Sequence, residues 1–233
     1  MKYSFNRSDF RNLIGSVGER LVQRYIEESI IPTLLQNWDA AIFTSAWFGD
    51  DIEANKNVPS CERIYWRREE KFFISHGFCP TRKFLEKFRL LTKLLENSPD
   101  GFLVMIKKTN TFKTLKDALE ELQLSKTIQW SYGSNTFDRS KHNDNERLAV
   151  VDGEIEVVEV KSGKSNLPTH QQKSYRSILK EGFQLRFFHV DVSSMAKNEF
   201  EIQEKLLTKP DEISTFPLMQ KTRKKRARIE FRN

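Results

Sequence analysis

The stretch that most constrains this chain is Asn145–Lys161, NERLAVVDGEIEVVEVK. Two runs rich in Val, Leu and Ile flank Asp152-Gly153. An Asp-Gly pair between such runs is a strong hairpin signal, because a two-residue type I′ turn needs φ > 0 at both centres. With the turn there, Val151 faces Glu154, Val150 faces Ile155, Leu148 faces Val157, Glu146 faces Glu159, and Asp144 lies opposite Lys161. Side chains alternate along a strand. One face would then carry Leu148, Val150, Ile155 and Val157, and at its open end Asp144, Glu146, Glu159 and Lys161. Opposed like charges destabilise a ladder. Three crowded acids therefore call for a counter-charge, and an oxygen-only set suits Mg²⁺ or Mn²⁺.

Around this stretch the chain reads as alternating helix and strand. Residues 8–36 carry Leu13, Ile14, Val17, Leu21, Val22, Tyr25 and Ile26 at helical spacing. Gly15 and Gly18 lie within that helix and would let it approach a sheet closely, with Glu19 at the edge of the apolar stripe. Pro32 predicts a break or a new short helix starting there. Residues 41–48 read as a strand, 49–63 as a polar loop, and 64–80 give no clear pattern. The spacing of Phe84, Phe88, Leu91 and Leu95 predicts an amphipathic helix over 81–97 with Thr81 as N-cap. Its Arg82, Lys83, Lys87, Arg89 and Lys93 either meet nucleic acid or, the plainer reading, form a solvated face. Ser98-Pro99-Asp100-Gly101 predicts a turn. Strands follow at 102–108 and 127–132, with a short helix at 114–124 between them. Pro168 suits the first turn of a helix that stops at Gly182. Gln171, Tyr175, Ile178 and Leu179 share one face of it. Residues 183–192 read as a buried strand and 199–207 as a short helix.

Composition sharpens the classes. With 233 residues, 38% of them hydrophobic and 18 Phe, the chain can bury a sizeable core. Two cysteines, Cys61 and Cys79, are too few for a disulfide framework or a thiolate metal cluster, and a reducing intracellular setting is expected. No run is long enough to span a bilayer, and the first residues carry no apolar signal segment, so no membrane partner is expected. The four His show no ligand spacing. The net charge is +7, and residues 221–233 hold +6 of it: Lys221, Arg223, Lys224, Lys225, Arg226, Arg228 and Arg232 against Glu230. A basic tail on a balanced body fits salt-sensitive binding to a phosphate backbone, or a solvated tail that aids solubility. Lys164, in the polar loop after Lys161, joins this basic set.

A helix with Glu19, a hairpin with acids and Lys161, a helix with Gln171 and a following strand, in this order, resemble the PD-(D/E)XK nuclease superfamily. The matches are Glu159-Val160-Lys161 as E-x-K, Gly18-Glu19 as the first-helix acid, and Leu167-x₃-Gln171 with Gly182 eleven residues on. The last pattern is similar to virus-type replication-repair nucleases and, more loosely, archaeal junction resolvases. The resemblance covers 10–36 and 133–193. It implies a restriction-endonuclease-like α/β fold, with a mixed central sheet flanked by helices. Residues 1–208 would form that domain, with a core of about 10–48 and 127–193, an α+β insertion at about 49–126, and a flexible basic tail at 209–233. The family expects an Asp near the start of the strand before E-x-K. With a turn at Asp152-Gly153 that position falls to Glu146, with Asp144 two residues earlier and Asp138 in reserve for a longer or bulged strand.

The resemblance implies Mg²⁺- or Mn²⁺-dependent phosphodiester hydrolysis in DNA, with RNA a second candidate, in repair, recombination or defence. Glu146 or Asp144, with Glu159 and the Val160 carbonyl, would hold the metal. Lys161 would orient water or stabilise the phosphorane, Glu19 would complete a second or outer shell, and Gln171 would position water or a phosphate oxygen. Similar nucleases are commonly homodimers. The rival readings are a non-cleaving nucleic-acid binder with a degenerate site, and a protein-interaction module with a nuclear-localisation-like tail.

Overall fold

The computed structural model describes residues 7–45, 68–95, 99–124, 129–132, 135–163, 167–191 and 200–215. The N-terminal periodicity gives helix α1 (Arg7–Tyr25), continued by a π-helical turn (Ile26–Ile30) and by α2 (Ile31–Leu34), which carries Pro32 in its first turn. Strand β1 (Ala40–Thr44) follows. Then come α3 (Arg68–Ser75), β2 (Phe78–Pro80), α4 (Arg82–Leu94), β3 (Gly101–Thr114) and α5 (Leu115–Glu121). Thr81 caps α4, accepting from the Phe84 N–H at 3.2 Å, as the sequence predicts. Strands β4 (Gln129–Tyr132) and β5 (Asn135–Asp138) make a small separate ribbon. The chain closes through β6 (Arg147–Ser162), α6 (Thr169–Lys180), β7 (Gln184–Asp191) and β8 (Glu201–Leu207).

The central sheet is open and mostly antiparallel, in the order β1-β3-β6-β7-β8. The β6–β7 pair is parallel, bridged by α6, and β2 lies parallel to the first half of β6. Two helical layers cover it. Phe102, Val104, Ile106, Ile155, Val157, Leu185 and Phe187 pack against α3, α4 and α6. On the other face Leu103, Val158, Val160, Phe188 and Val190 meet Leu21, Val22, Ile26 and Ile30. A third cluster joins Leu148, Val150 and Cys79 to α5. Burial of this many apolar side chains, each contributing about 1.5–3 kcal/mol, dominates the fold's stability. Among the described residues, no helix is long and apolar enough to cross a membrane.

Four expectations are corrected. Asp152-Gly153 is no turn: β6 runs straight through it, with Asp152 paired to Lys107 and Gly153 to Ile106. A Cβ at Gly153 would stand 2.0 Å from the Met105 carbonyl oxygen and 2.8 Å from the Phe84 ring. Glycine serves close approach here, the second meaning of a strand glycine. The described part of the stretch 49–126 is no insertion beside the core, since β3 sits between β1 and β6 and α4 covers the sheet. Residues 201–207 form an edge strand, not a helix. Their helix-favouring Glu, Gln, Lys and Leu are overridden by the ladder to β7 and by Glu204 pairing with Arg186, which Glu156 also grips at 2.6 Å. Within the expected tail of 209–233, Pro210–Thr215 is instead a short 3₁₀ helix with Ile213 fully buried, and residues 216–233 lie outside the described residues.

Candidate functional site

The two longest strands end together. Gly101 begins β3 opposite Val158 near the end of β6. Continuing that register sets Asp100 opposite Glu159 and Pro99 opposite Val160. Residues opposed across an antiparallel pair project to the same face. Lys161, two residues beyond Glu159, projects there too. Proline has no N–H, so Pro99 cannot extend the ladder by donating to the Val160 carbonyl. The Val160 N–H instead donates to the Asp100 carboxylate at 2.6 Å.

The site's walls come from helices on both faces. The Tyr175 hydroxyl, on α6, donates to one oxygen of the fully buried Glu159, and the Lys161 ammonium donates to the other. One turn earlier on α6, Gln171 Oε1 is buried without a hydrogen-bond partner. From the opposite layer, α1 presses on the end of β6: a Cβ on Gly18 would lie 1.9 Å from Ser162 Oγ. That approach sets Glu19, exposed on α1, at the rim of the same strand end.

Electrostatics set these residues apart. The Glu159 carboxyl is pushed up to about 7, first by burial and next by the charge of Asp100, against the pull of Lys161 and Tyr175. Asp100 is raised by burial, opposed by the Val160 N–H and Lys161. Glu19 is raised by partial burial, then by Asp100, with Lys161 opposing. The Tyr175 phenol is raised by burial and by Glu159. Among the described residues, three carboxyls thus share the field of Lys161, an excess of negative charge that burial makes costly. Perturbed carboxyls of this kind mark candidate functional sites.

The structure brings together Glu159, Val160, Lys161, Gln171 and Glu19 from the sequence-predicted set. It does not bring Glu146, Asp144 or Asp138. Without the turn, Glu146 lies thirteen residues of extended chain from Glu159, a reach of about 40 Å. Glu146 pairs with His142 at 2.8 Å, Asp144 with Arg139 at 3.0 Å, and Asp138 accepts from the Ser140 N–H and hydroxyl. None of the three stands beside Glu159, so they are not its co-ligands. Lys164, Lys221, Arg223, Lys224, Lys225, Arg226 and Arg228 lie outside the described residues.

Sequence reasoning missed two residues. Asp100 was hidden in a turn signal, yet a Pro-Asp pair at the mouth of the apolar run FLVMI could have exposed it. Tyr175 was read only as core, although a phenol on the same stripe as Gln171 needs a partner once buried.

Among the described residues, no three His, Cys, Asp or Glu side chains are gathered as a metal-ligand group. The donor set available is two carboxylates and a backbone carbonyl. No family model, no curated protein and no solved structure matches this chain.

Proposed function

We propose that this chain is a metal-dependent nuclease of PD-(D/E)XK type, with Pro99-Asp100 and Glu159-Val160-Lys161 as the two halves of the motif. The observation that carries the reading is the convergence of Asp100, Glu159 and Lys161 on one face where β3 begins and β6 ends. Mg²⁺ or Mn²⁺ fits the donor chemistry: hard oxygen ligands, an excess of carboxyl over ammonium, and a buried amide oxygen in search of a donor. Asp100, Glu159 and the Val160 carbonyl would hold it, with Glu19 at the rim. Bound there, the ion supplies Lewis-acid polarisation of a phosphodiester and a lowered pKa for water.

The chain's own groups do the rest. Lys161 brings a positive charge to the strand end and can hydrogen-bond a phosphate oxygen or hold a water in line with phosphorus. Gln171 Oε1 can accept from that water. Tyr175 fixes one Glu159 oxygen and so the carboxylate's orientation. The substrate class is nucleic acid, DNA first.

A second reading is a non-cleaving nucleic-acid binder. It is favoured by one specific observation: both Glu159 oxygens are engaged, by Lys161 and by Tyr175. The two are separated by a cleavage assay on labelled duplex, single-stranded, flap and branched DNA with Mg²⁺, Mn²⁺ or EDTA. Metal-dependent cutting abolished by Asp100→Asn and Lys161→Ala, but retained by Glu146→Ala, is expected. Cutting that survives either of the first two substitutions unchanged sinks this site. Salt-sensitive binding without cutting transfers the conclusion to the second reading.

A further inference from the structure

The helices α4 and α6 lie antiparallel over the sheet face that carries Glu159. The start of α4 is tied to mid-β6, where the Thr81 N–H donates to the Val151 carbonyl, and its far end meets α6, where Ser174 Oγ donates to the Leu94 carbonyl at 3.1 Å. The chain leaves α6 toward Gln184, opposite Glu156. Both helices therefore run between the site and the middle of the sheet, with Tyr175 and Gln171 at the site end of α6.

Their outer surface is strongly cationic, with Glu86 on α4 and Glu181 just past α6 as its exposed acids. Lys83, Lys87, Lys93, Lys173, Arg176 and Lys180 are exposed or half-exposed, and none has an ionic partner among the described residues. The remaining cations of α4 are paired, Arg82 with Glu86 and Arg89 with the buried Glu70. Helix α6 holds no acid at all. The opposite layer, residues 7–34, balances four Arg against Asp9, Glu19, Glu27 and Glu28. Six cations without counter-ions on one face and charge balance on the other amount to an asymmetric field that attracts a polyanion.

From this arrangement we infer that the α4–α6 layer is the docking surface for the sugar-phosphate backbone of the nucleic acid, leading it to Lys161. The inference deepens the nuclease reading and rests on it for direction, but not for binding. Lys83 to Lys93 spans ten residues of helix, about 15 Å, and Lys93 and Lys173 stand at the end nearest Tyr175. A regular backbone with a charge at every step fits such a stripe. An anionic membrane fits it less well, since Leu90 is the only large hydrophobic that the outer face of these helices exposes.

The test uses the full chain carrying Asp100→Asn, in EDTA, so that cleavage plays no part. Affinity for a labelled duplex and single strand is measured across a salt series. The comparison is with Lys83→Gln, Lys87→Gln, Lys173→Gln and Lys180→Gln combined, and with Arg20→Gln and Lys116→Gln as a charge control. Each lost phosphate contact lowers the slope of log K against log salt by about 1. The expected result is a slope smaller by about 4 in the four-site variant, affinity reduced about 10²-fold at low salt, an unchanged melting temperature, and little change in the control. An unchanged slope in the four-site variant overturns the inference. So does capture by anionic vesicles with no salt-sensitive nucleic-acid binding. If the native chain never cuts but the four-site slope falls, the docking surface stands and the nuclease reading fails.

Discussion

The two ends of β6 each gather acidic residues, and they differ in nearly everything else. At its start, Asp144 and Glu146 sit in water and pair with Arg139 and His142, neighbours in sequence. At its end, Glu159 is fully buried, Asp100 arrives from another strand, and Tyr175 and Lys161 from above and beside. Exposed pairs of the first kind contribute about 0–1 kcal/mol. Buried carboxyls of the second kind oppose folding unless something compensates them. Acid count alone does not mark a site; the loss of water around the acids does.

The contrast can be broken most severely through activity. Asp100→Asn or Lys161→Ala is expected to lower metal-dependent cleavage by about 10²–10³-fold, while Glu146→Gln leaves the rate within twofold, read by initial rates on the best DNA form. Next comes the strand that joins the two ends. Gly153→Ala drives a methyl into the Met105 carbonyl, a backbone atom that cannot step aside, and is expected to cost about 3 kcal/mol in chemical denaturation.

The third test is electrostatic. Glu159 binds its proton more tightly folded, near 7, than unfolded, near 4.5. The folded state therefore holds more protons between those values, and stability falls as pH rises through that window. Glu159→Gln is expected to remove that loss, raising stability by up to about 3 kcal/mol at pH 8 and by little at pH 4, read by melting at both. Saturating Mg²⁺ should raise the native chain's melting temperature and leave that of Asp100→Asn unmoved. Smaller again, Tyr175→Phe removes one bond to a charged acceptor and should cost about 1.5–3 kcal/mol. Smallest, His142→Ala at the solvated end should cost less than about 1 kcal/mol.

Much of this was legible in the chain. Apolar spacing located α4 with its Thr81 cap, α6, β7 and the pairing of Glu159 with Lys161 on one face, because each depends on residues within a few positions of one another. The partner of Glu159 was not legible, because two meanings of one dipeptide compete. Asp-Gly serves a tight turn, and glycine in a strand serves close approach; only the packing of Met105 and Phe84 decides between them. Taking the turn folded β6 back on itself and brought Glu146 to Glu159. Taking the strand calls in β3, and with it Asp100. The β8 strand was missed for a similar reason: its helix-favouring composition yields to a neighbour some fifteen residues away in sequence.

The close contact of Gly18 with Ser162 has a consequence for the order of events during synthesis. Glu19 leaves the ribosome early, Asp100 midway, and Glu159, Lys161, Gln171 and Tyr175 late, so the cluster has no local precursor. Contacts spanning that much chain form slowly and only after the distant partner exists. A nascent chain shorter than about 175 residues lacks the wall that holds Glu159. Whatever reactivity the cluster has is therefore withheld until the sheet has closed, a built-in delay that depends on topology and on no inhibitor.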